Sequence, residues 1–184
     1  MSSMRSEKKR GRSRTPLIVA IVLVVAVALG AIAIMSVGGR SPGPIEISAT
    51  PNTVESLRSS LEPYRGRVVI LNIWATWCGP CRVEIPDFVK LQDKYRNQGL
   101  EIVGVSIDPI DPRGGGAPAV APFMAQYKIN YNVWLVDSPN AFAGYPIGQG
   151  IPTTYVLDRE GKIYRQYVGV RPMSVFESDI KQLL

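Results

Sequence analysis

Val68-Val69-Ile70-Leu71-Asn72-Ile73-Trp74 runs through Ala75-Thr76-Trp77 into Cys78-Gly79-Pro80-Cys81, which holds the only two cysteines of the 184-residue chain. The run before them is β-branched and apolar, the pattern of a strand buried on both faces. Two cysteines three positions apart at the start of a helix share one helical face. They can close a small disulfide ring or open to a dithiol with little rearrangement elsewhere. A helix N-terminus carries partial positive charge and unsatisfied N–H groups, which favour a thiolate over a thiol. Thiol–disulfide exchange is the chemistry this arrangement suits.

The net charge of +6 is spread unevenly. Residues 1–16 hold Arg5, Lys8, Lys9, Arg10, Arg12 and Arg14 against Glu7, a net +5, which leaves +1 for everything else. No basic groove for nucleic acid is indicated. Thr15 to Gly39 contains no charged residue, and Leu17 to Val37 is almost wholly aliphatic. At ~1.5 Å rise per residue that run covers about 30 Å, the thickness of a hydrocarbon core. The sequence thus predicts a basic cytoplasmic tail over 1–16, a transmembrane signal-anchor over 17–38 and a linker over 39–51. The domain over 52–184 then lies on the extracytoplasmic side, because the basic flank stays in the cytoplasm. Cleavage after Ala31-Ile32-Ala33 is the alternative. The apolar run continues through Ile34, Met35 and Val37 without a break, longer than a signal peptide's usual core.

Outside a membrane, thiols meet oxidising surroundings. Structural zinc would need further ligands, and the chain has no other Cys and no His. A purely structural disulfide is the plainer alternative, but closing a two-residue loop constrains the unfolded chain very little. The expectation is no metal and no cofactor beyond a redox-active Cys78–Cys81 disulfide.

Outward from the motif, Ile45-Glu46-Ile47 suits an edge strand, and Asn52 before Thr53-Val54-Glu55 reads as a cap for a helix over Thr53 to Leu61. The helix after Cys78 should run to about Gln98, stopped by Gly99, with Val83, Phe88, Leu91 and Tyr95 as its core stripe. Glu101 to Asp108 reads as a second buried strand, completing a βαβ unit. Pro109 to Pro118, with three consecutive glycines, reads as a flexible loop in which Asp108 and Asp111 are solvated turn residues. A helix over Ala119 to Tyr127 and a strand over Val133 to Asp137 follow, with a short helix or turn over Asn140 to Tyr145. The strand Ile151 to Asp158 then turns at Arg159-Glu160-Gly161-Lys162 into Ile163 to Val168. Pro172 opens a last helix with Val175, Phe176, Ile180, Leu183 and Leu184 inward. The fold class is α/β: a mixed central sheet flanked by helices, after one N-terminal transmembrane helix.

Trp74-Ala75-Thr76-Trp77-Cys78-Gly79-Pro80-Cys81 after a buried strand, a proline five residues past Cys81, and a Gly-Ile-Pro-Thr-Thr strand together resemble the thioredoxin fold. More finely, Cys81-Arg82-Val83-Glu84-Ile85-Pro86 and Ile151 to Asp158 resemble the membrane-anchored thiol–disulfide oxidoreductases of the ResA/TlpA type, over about residues 65–184. The Ala-Pro-x-Phe segment and hairpin usual before the first core strand are missing. The strand also reads Pro-Thr-Thr where reductases of the DsbE type tend to read Pro-Glu. The resemblance implies Cys78 as the exposed nucleophile and Cys81 as the deeper, resolving cysteine. Glu84, three residues past Cys81, would raise the thiol pKa values and accept the Cys81 proton. Pro152 would be a cis-proline facing the disulfide and presenting the Ile151 backbone to substrate, with Trp77, Gly79 and Pro80 beside it.

The implied partners are protein disulfides, such as apocytochrome c Cys-x-x-Cys-His sites, and a membrane thiol carrier as electron source, served by a monomeric domain. The same residues at a higher potential would make a disulfide oxidase or isomerase. A thioredoxin-like peroxidase would place Thr three residues before its reactive Cys, where this chain has Ala75. Copper delivery would require Cys-x-x-x-Cys and a histidine.

Overall fold

A computed structural model describes residues 52–184 apart from Gln149. The tail, apolar run and linker over 1–51, with Ile45-Glu46-Ile47, lie outside the described residues. Among the described residues no helix is long and apolar enough to cross a membrane.

The elements are β1 (Asn52–Val54), α1 (Leu57–Leu61), β2 (Val68–Trp74), α2 (Gly79–Tyr95), β3 (Leu100–Ser106), α3 (Val120–Tyr127), β4 (Asn132–Val136), β5 (Thr153–Leu157), β6 (Ile163–Val168) and α4 (Met173–Leu183). The strands form one sheet in the order β1-β4-β3-β2-β5-β6. β1, β4, β3 and β2 run parallel, whereas β5 is antiparallel to β2 and to β6. The two central strands, β2 and β3, are buried at every residue, as suits their mainly apolar runs.

Register sorts the side chains between two layers. Asn72 pairs with Thr154 and Thr154 with Tyr167, so these share a face with Trp74. Trp74 stacks on Phe123 of α3 at 5.0 Å, while Phe176 of α4 meets Phe88 of α2 at 5.0 Å and Tyr167 at 5.4 Å. The helices α2, α3 and α4 therefore cover this face. On the other face Tyr64 lies 6.0 Å from Trp134, and Tyr145 meets Tyr155 edge-on at 5.4 Å.

Several expectations change. Thr53 and Val54 are in a strand paired in parallel with β4, and the helix is only Leu57–Leu61, entered from Ser56 without a side-chain cap. β-branched Thr53 and Val54 suit the free edge of β4 better than a helix start. Val83 is 65% exposed; at ~100° per residue it lies about 200° round the helix from Cys81, and Ile85 takes the core position instead. The loop after β3 contains 3-10 turns at Pro112–Gly114 and Ala117–Ala119. Asp108 is fully buried, not a solvated turn residue. The end of α2 matches its reading: a 3-10 turn at Arg96–Gln98 leads to Gly99, whose φ of 106° needs glycine.

Gly104 of β3 has a different reason to be glycine. A Cβ there would stand 2.8 Å from Trp74 Nε1 and 3.2 Å from Tyr131 Cε2. Gly104→Ala should therefore destabilise by about 1–3 kcal/mol through overpacking. The urea midpoint should fall; an unchanged midpoint would contradict this packing.

Candidate active site

The parallel strands β2 and β3 end at the same edge of the sheet, and the segments that leave them, 75–78 and 107–116, lie against one another. β2 delivers Ala75, and the Cys78 N–H donates to the Ala75 carbonyl at 3.1 Å, closing a turn. Cys78 is the N-cap of α2, and its sulfur accepts from the Cys81 N–H at 3.2 Å. Pro80 occupies the first helical turn, where its missing N–H costs nothing. Cys78 and Cys81 form a disulfide. Both are buried, with 4% and 1% of their surface exposed, so Cys78 is far less open than the sequence suggests. Trp77 and Ile151 are half-buried beside it, and Gly79 and Pro80 are exposed.

The Ile151–Pro152 peptide bond is cis, at the start of β5. Cys78 Sγ lies 3.8 Å from the Ile151 carbonyl oxygen. Two hydrogen bonds tie this corner to its surroundings. Gly169 N–H donates to the Pro152 carbonyl at 2.8 Å, and Asn72 Nδ2 of β2 donates to Thr154 Oγ1 at 2.9 Å. The cis-proline strand β5 and the strand β2 that leads to the cysteines are thereby linked.

Glu84 lies on the inward face of α2, one turn past Cys81, with 2% of its surface exposed. One carboxylate oxygen, Oε1, accepts from the Arg171 N–H at 2.9 Å; the other, Oε2, is buried with no hydrogen-bond partner. Burial pushes this carboxyl up to about 7, against the opposing pull of the Arg171 N–H and charge. Tyr131, on the segment entering β4, is also buried, and its hydroxyl lacks a partner. Burial is the main cause raising the Tyr131 phenol above its ordinary value, and the Glu84 charge adds to it.

Sequence reasoning missed the second wall of the site. Trp77 Nε1 donates to the Asp111 carbonyl at 3.0 Å, and the Arg113 guanidinium lies 3.6 Å from the Trp77 ring centroid. Arg82 Nε donates to the Thr76 carbonyl at 2.9 Å. Asp108 accepts from Thr76 and Ser106. The available signal was positional: in a parallel sheet the loops at the carboxyl ends of neighbouring strands converge, and 107–116 follows the strand next to the cysteines.

A mixed sheet with a helix-capping Cys-x-x-Cys pair set against a cis-proline defines a thioredoxin-fold thiol–disulfide oxidoreductase. The AhpC/TSA family model matches residues 47–166, and the chain belongs to that family. It is 31% identical over 159 residues to the thiol-disulfide oxidoreductase ResA of Bacillus subtilis, covering 84% of this chain and 85% of that protein. To ResA of Bacillus thuringiensis it is 30% identical over 130 residues, 71% of each. A crystal structure of a putative thiol:disulfide interchange protein DsbE from Chlorobium tepidum is similar, with a TM-score of 0.58 and 34% identity over 67% of this chain and 84% of that one.

Proposed function

We propose that this oxidoreductase is a membrane-anchored reductase of protein disulfides on the extracytoplasmic side, with Cys78 attacking and Cys81 resolving. The observation that carries the reading is the Cys78 sulfur lying against the Ile151 carbonyl at the cis-Pro152 corner. A client strand laid along Ile151 brings its own sulfur to Cys78, with Trp77, Gly79 and Pro80 as the adjoining wall. The side of the membrane rests on the basic tail and the apolar run over 17–38. The client class, exported proteins including apocytochrome c Cys-x-x-Cys-His sites, rests on the likeness to the ResA proteins.

The cycle starts from the dithiol. The Cys78 thiolate, favoured by the Cys81 N–H and the helix N-terminus, attacks the client disulfide. A mixed disulfide forms, and the client's first sulfur leaves as a thiolate that takes a proton from solvent. Cys81 then gives its proton to the Glu84 carboxylate and attacks the Cys78 sulfur. The client's second thiolate departs, two electrons have passed to the client, and the protein holds its own disulfide. A thiol carrier in the membrane restores the dithiol by the reverse exchange. A peroxidatic reading is weaker, because the position three before Cys78 is Ala75, fully buried and without a hydroxyl.

Two measurements test this. The reduced protein should transfer its one electron pair to an oxidised Cys-x-x-Cys-His peptide in a stoichiometric single turnover, and faster than to hydrogen peroxide; a preference for peroxide would overturn the client class. In intact cells, after mild reduction, a membrane-impermeant thiol reagent should label Cys78. Labelling only after lysis would overturn the location.

A further inference from the structure

Asp108 is fully buried beneath the turn that carries Cys78. Its Oδ2 accepts from the Thr76 N–H at 3.0 Å and from Ser106 Oγ at 2.7 Å. Its Oδ1 accepts from Thr76 Oγ1 at 2.5 Å, with the same Thr76 N–H at 3.3 Å. The Ser106 hydroxyl is itself oriented, since its oxygen accepts from the Asp108 N–H at 3.2 Å. No ion-pair partner for Asp108 occurs among the described residues. Burying a carboxylate without a cation is costly unless donors surround it, and here most of the donors come from one residue, Thr76.

Thr76 is held from the other side as well. Its carbonyl accepts from both Arg82 Nε at 2.9 Å and Arg82 Nη2 at 2.5 Å. Its N–H, hydroxyl and carbonyl are thus all fixed, in the middle of the turn closed by the Cys78 N–H and the Ala75 carbonyl. Ile107 N–H donates to the Trp74 carbonyl at 3.0 Å, so the strand end just before this turn is pinned to the same loop. The chain of contact runs from Asp108 through Thr76 to the Ala75–Cys78 turn, which carries the Cys78 sulfur to the Cys81 N–H.

We propose that Asp108 is a positioning residue for disulfide exchange: through Thr76 it holds the Ala75–Cys78 turn so that the Cys78 sulfur keeps the Cys81 N–H and faces Ile151. When the disulfide opens, the covalent link that fixed Cys78 is gone, and the turn, with the helix start that follows it, keeps the sulfur there. A turn freed from Asp108 lets the thiolate drift from its N–H donor. Fewer Cys78 thiols then ionise at neutral pH, and fewer encounters are productive. The inference rests on Cys78 being the attacking sulfur.

The test uses the full chain, reduced, with alkylation followed against pH and the modified cysteine located by peptide mass. Thr76→Val keeps the carboxylate but removes the hydroxyl donor; Thr76→Ser keeps that donor; Asp108→Ala removes the anchor. Thr76→Val and Asp108→Ala should slow Cys78 alkylation at pH 7 at least about fivefold, move its midpoint upward and lower kcat/KM through kcat. Thr76→Ser should stay within about twofold of the wild type. If Thr76→Val and Asp108→Ala lose thermal stability but keep the wild-type alkylation profile and kcat, the carboxylate is only structural and the inference fails. A midpoint that falls in Asp108→Ala and stays put in Thr76→Val would show action through charge alone, which also overturns it. Should Asp108→Ala not fold, the two Thr76 variants decide. Alkylation mapping to Cys81 instead would overturn the reading of Cys78 itself, a failure distinct from an unmoved Cys78 profile.

Discussion

Cys78→Ser should reduce protein disulfides no faster than buffer, and Cys81→Ser should stop after one encounter as a mixed disulfide. The asymmetry comes from placement rather than from the two residues' chemistry, since both sulfurs are buried. Cys78 faces the Ile151 carbonyl and caps the helix, whereas Cys81 is one turn inside it and almost wholly buried. A serine hydroxyl at 78 is not ionised at neutral pH and cannot form the intermolecular bond. With serine at 81 that bond forms but nothing displaces the client, so the adduct persists until an added thiol releases it. Non-reducing electrophoresis with an oxidised protein substrate distinguishes the two. An adduct that forms on Cys81 in the Cys78→Ser protein, at a rate near that of the Cys81→Ser adduct, would reverse the assignment.

Glu84→Gln should remove a pH dependence rather than simply lower a rate. The carboxyl stands near 7 in the folded protein against an ordinary value of 4.5, so the folded state holds the proton more tightly. Its share of stability is therefore full below about pH 4.5 and is lost as pH rises towards about 7, by on the order of 3 kcal/mol. The glutamine variant should flatten that fall when urea unfolding is followed from pH 4.5 to 8. Some slope will remain, because Glu101 is also pushed up to about 7 by burial, against the pull of Arg67 and Arg96. Activity has the opposite sign. In the proposed cycle it is the carboxylate form that accepts the Cys81 proton, so the resolving step should quicken as pH rises through about 7. In Glu84→Gln that step should slow by about 10²-fold or more, the usual worth of a positioned base. Release of client from a preformed mixed disulfide measures this step alone. Superimposable pH curves for the two proteins would remove Glu84 from the mechanism.

Both central strands were legible because their runs are almost wholly apolar, the catalytic helix because it opens at Gly79-Pro80 and stops before Gly99, and the hairpin after Pro152 because Arg159-Glu160-Gly161-Lys162 marks its turn. Val68 to Trp74 could be little else, and Gly99 marks the end of the catalytic helix by a backbone angle that other residues avoid. Thr53 and Val54 were misread because a three-residue edge strand is defined by its partner, β4, and by no local pattern. In the site, spacing was enough to bring Cys78, Cys81 and Glu84 to one helix end. Asp108 was not legible: an aspartate before a Pro/Gly-rich segment looks like a turn residue, and only the pairing of β2 with β3 places it under Thr76. Arg113 and Tyr131 were hidden for the same reason, each depending on a tertiary neighbour, Trp77 for one and Glu84 for the other.

The direction of electron flow is the centre of the proposed function, and the reduction potential of the Cys78–Cys81 couple tests it most directly. The full chain, equilibrated in thiol–disulfide buffers at pH 7 and trapped with alkylating reagent, should titrate at about −250 mV or lower, in the range of thioredoxin at about −270 mV. A midpoint near −120 mV, the value of a strong oxidant, would contradict a reductase and turn the same site into a donor of disulfides.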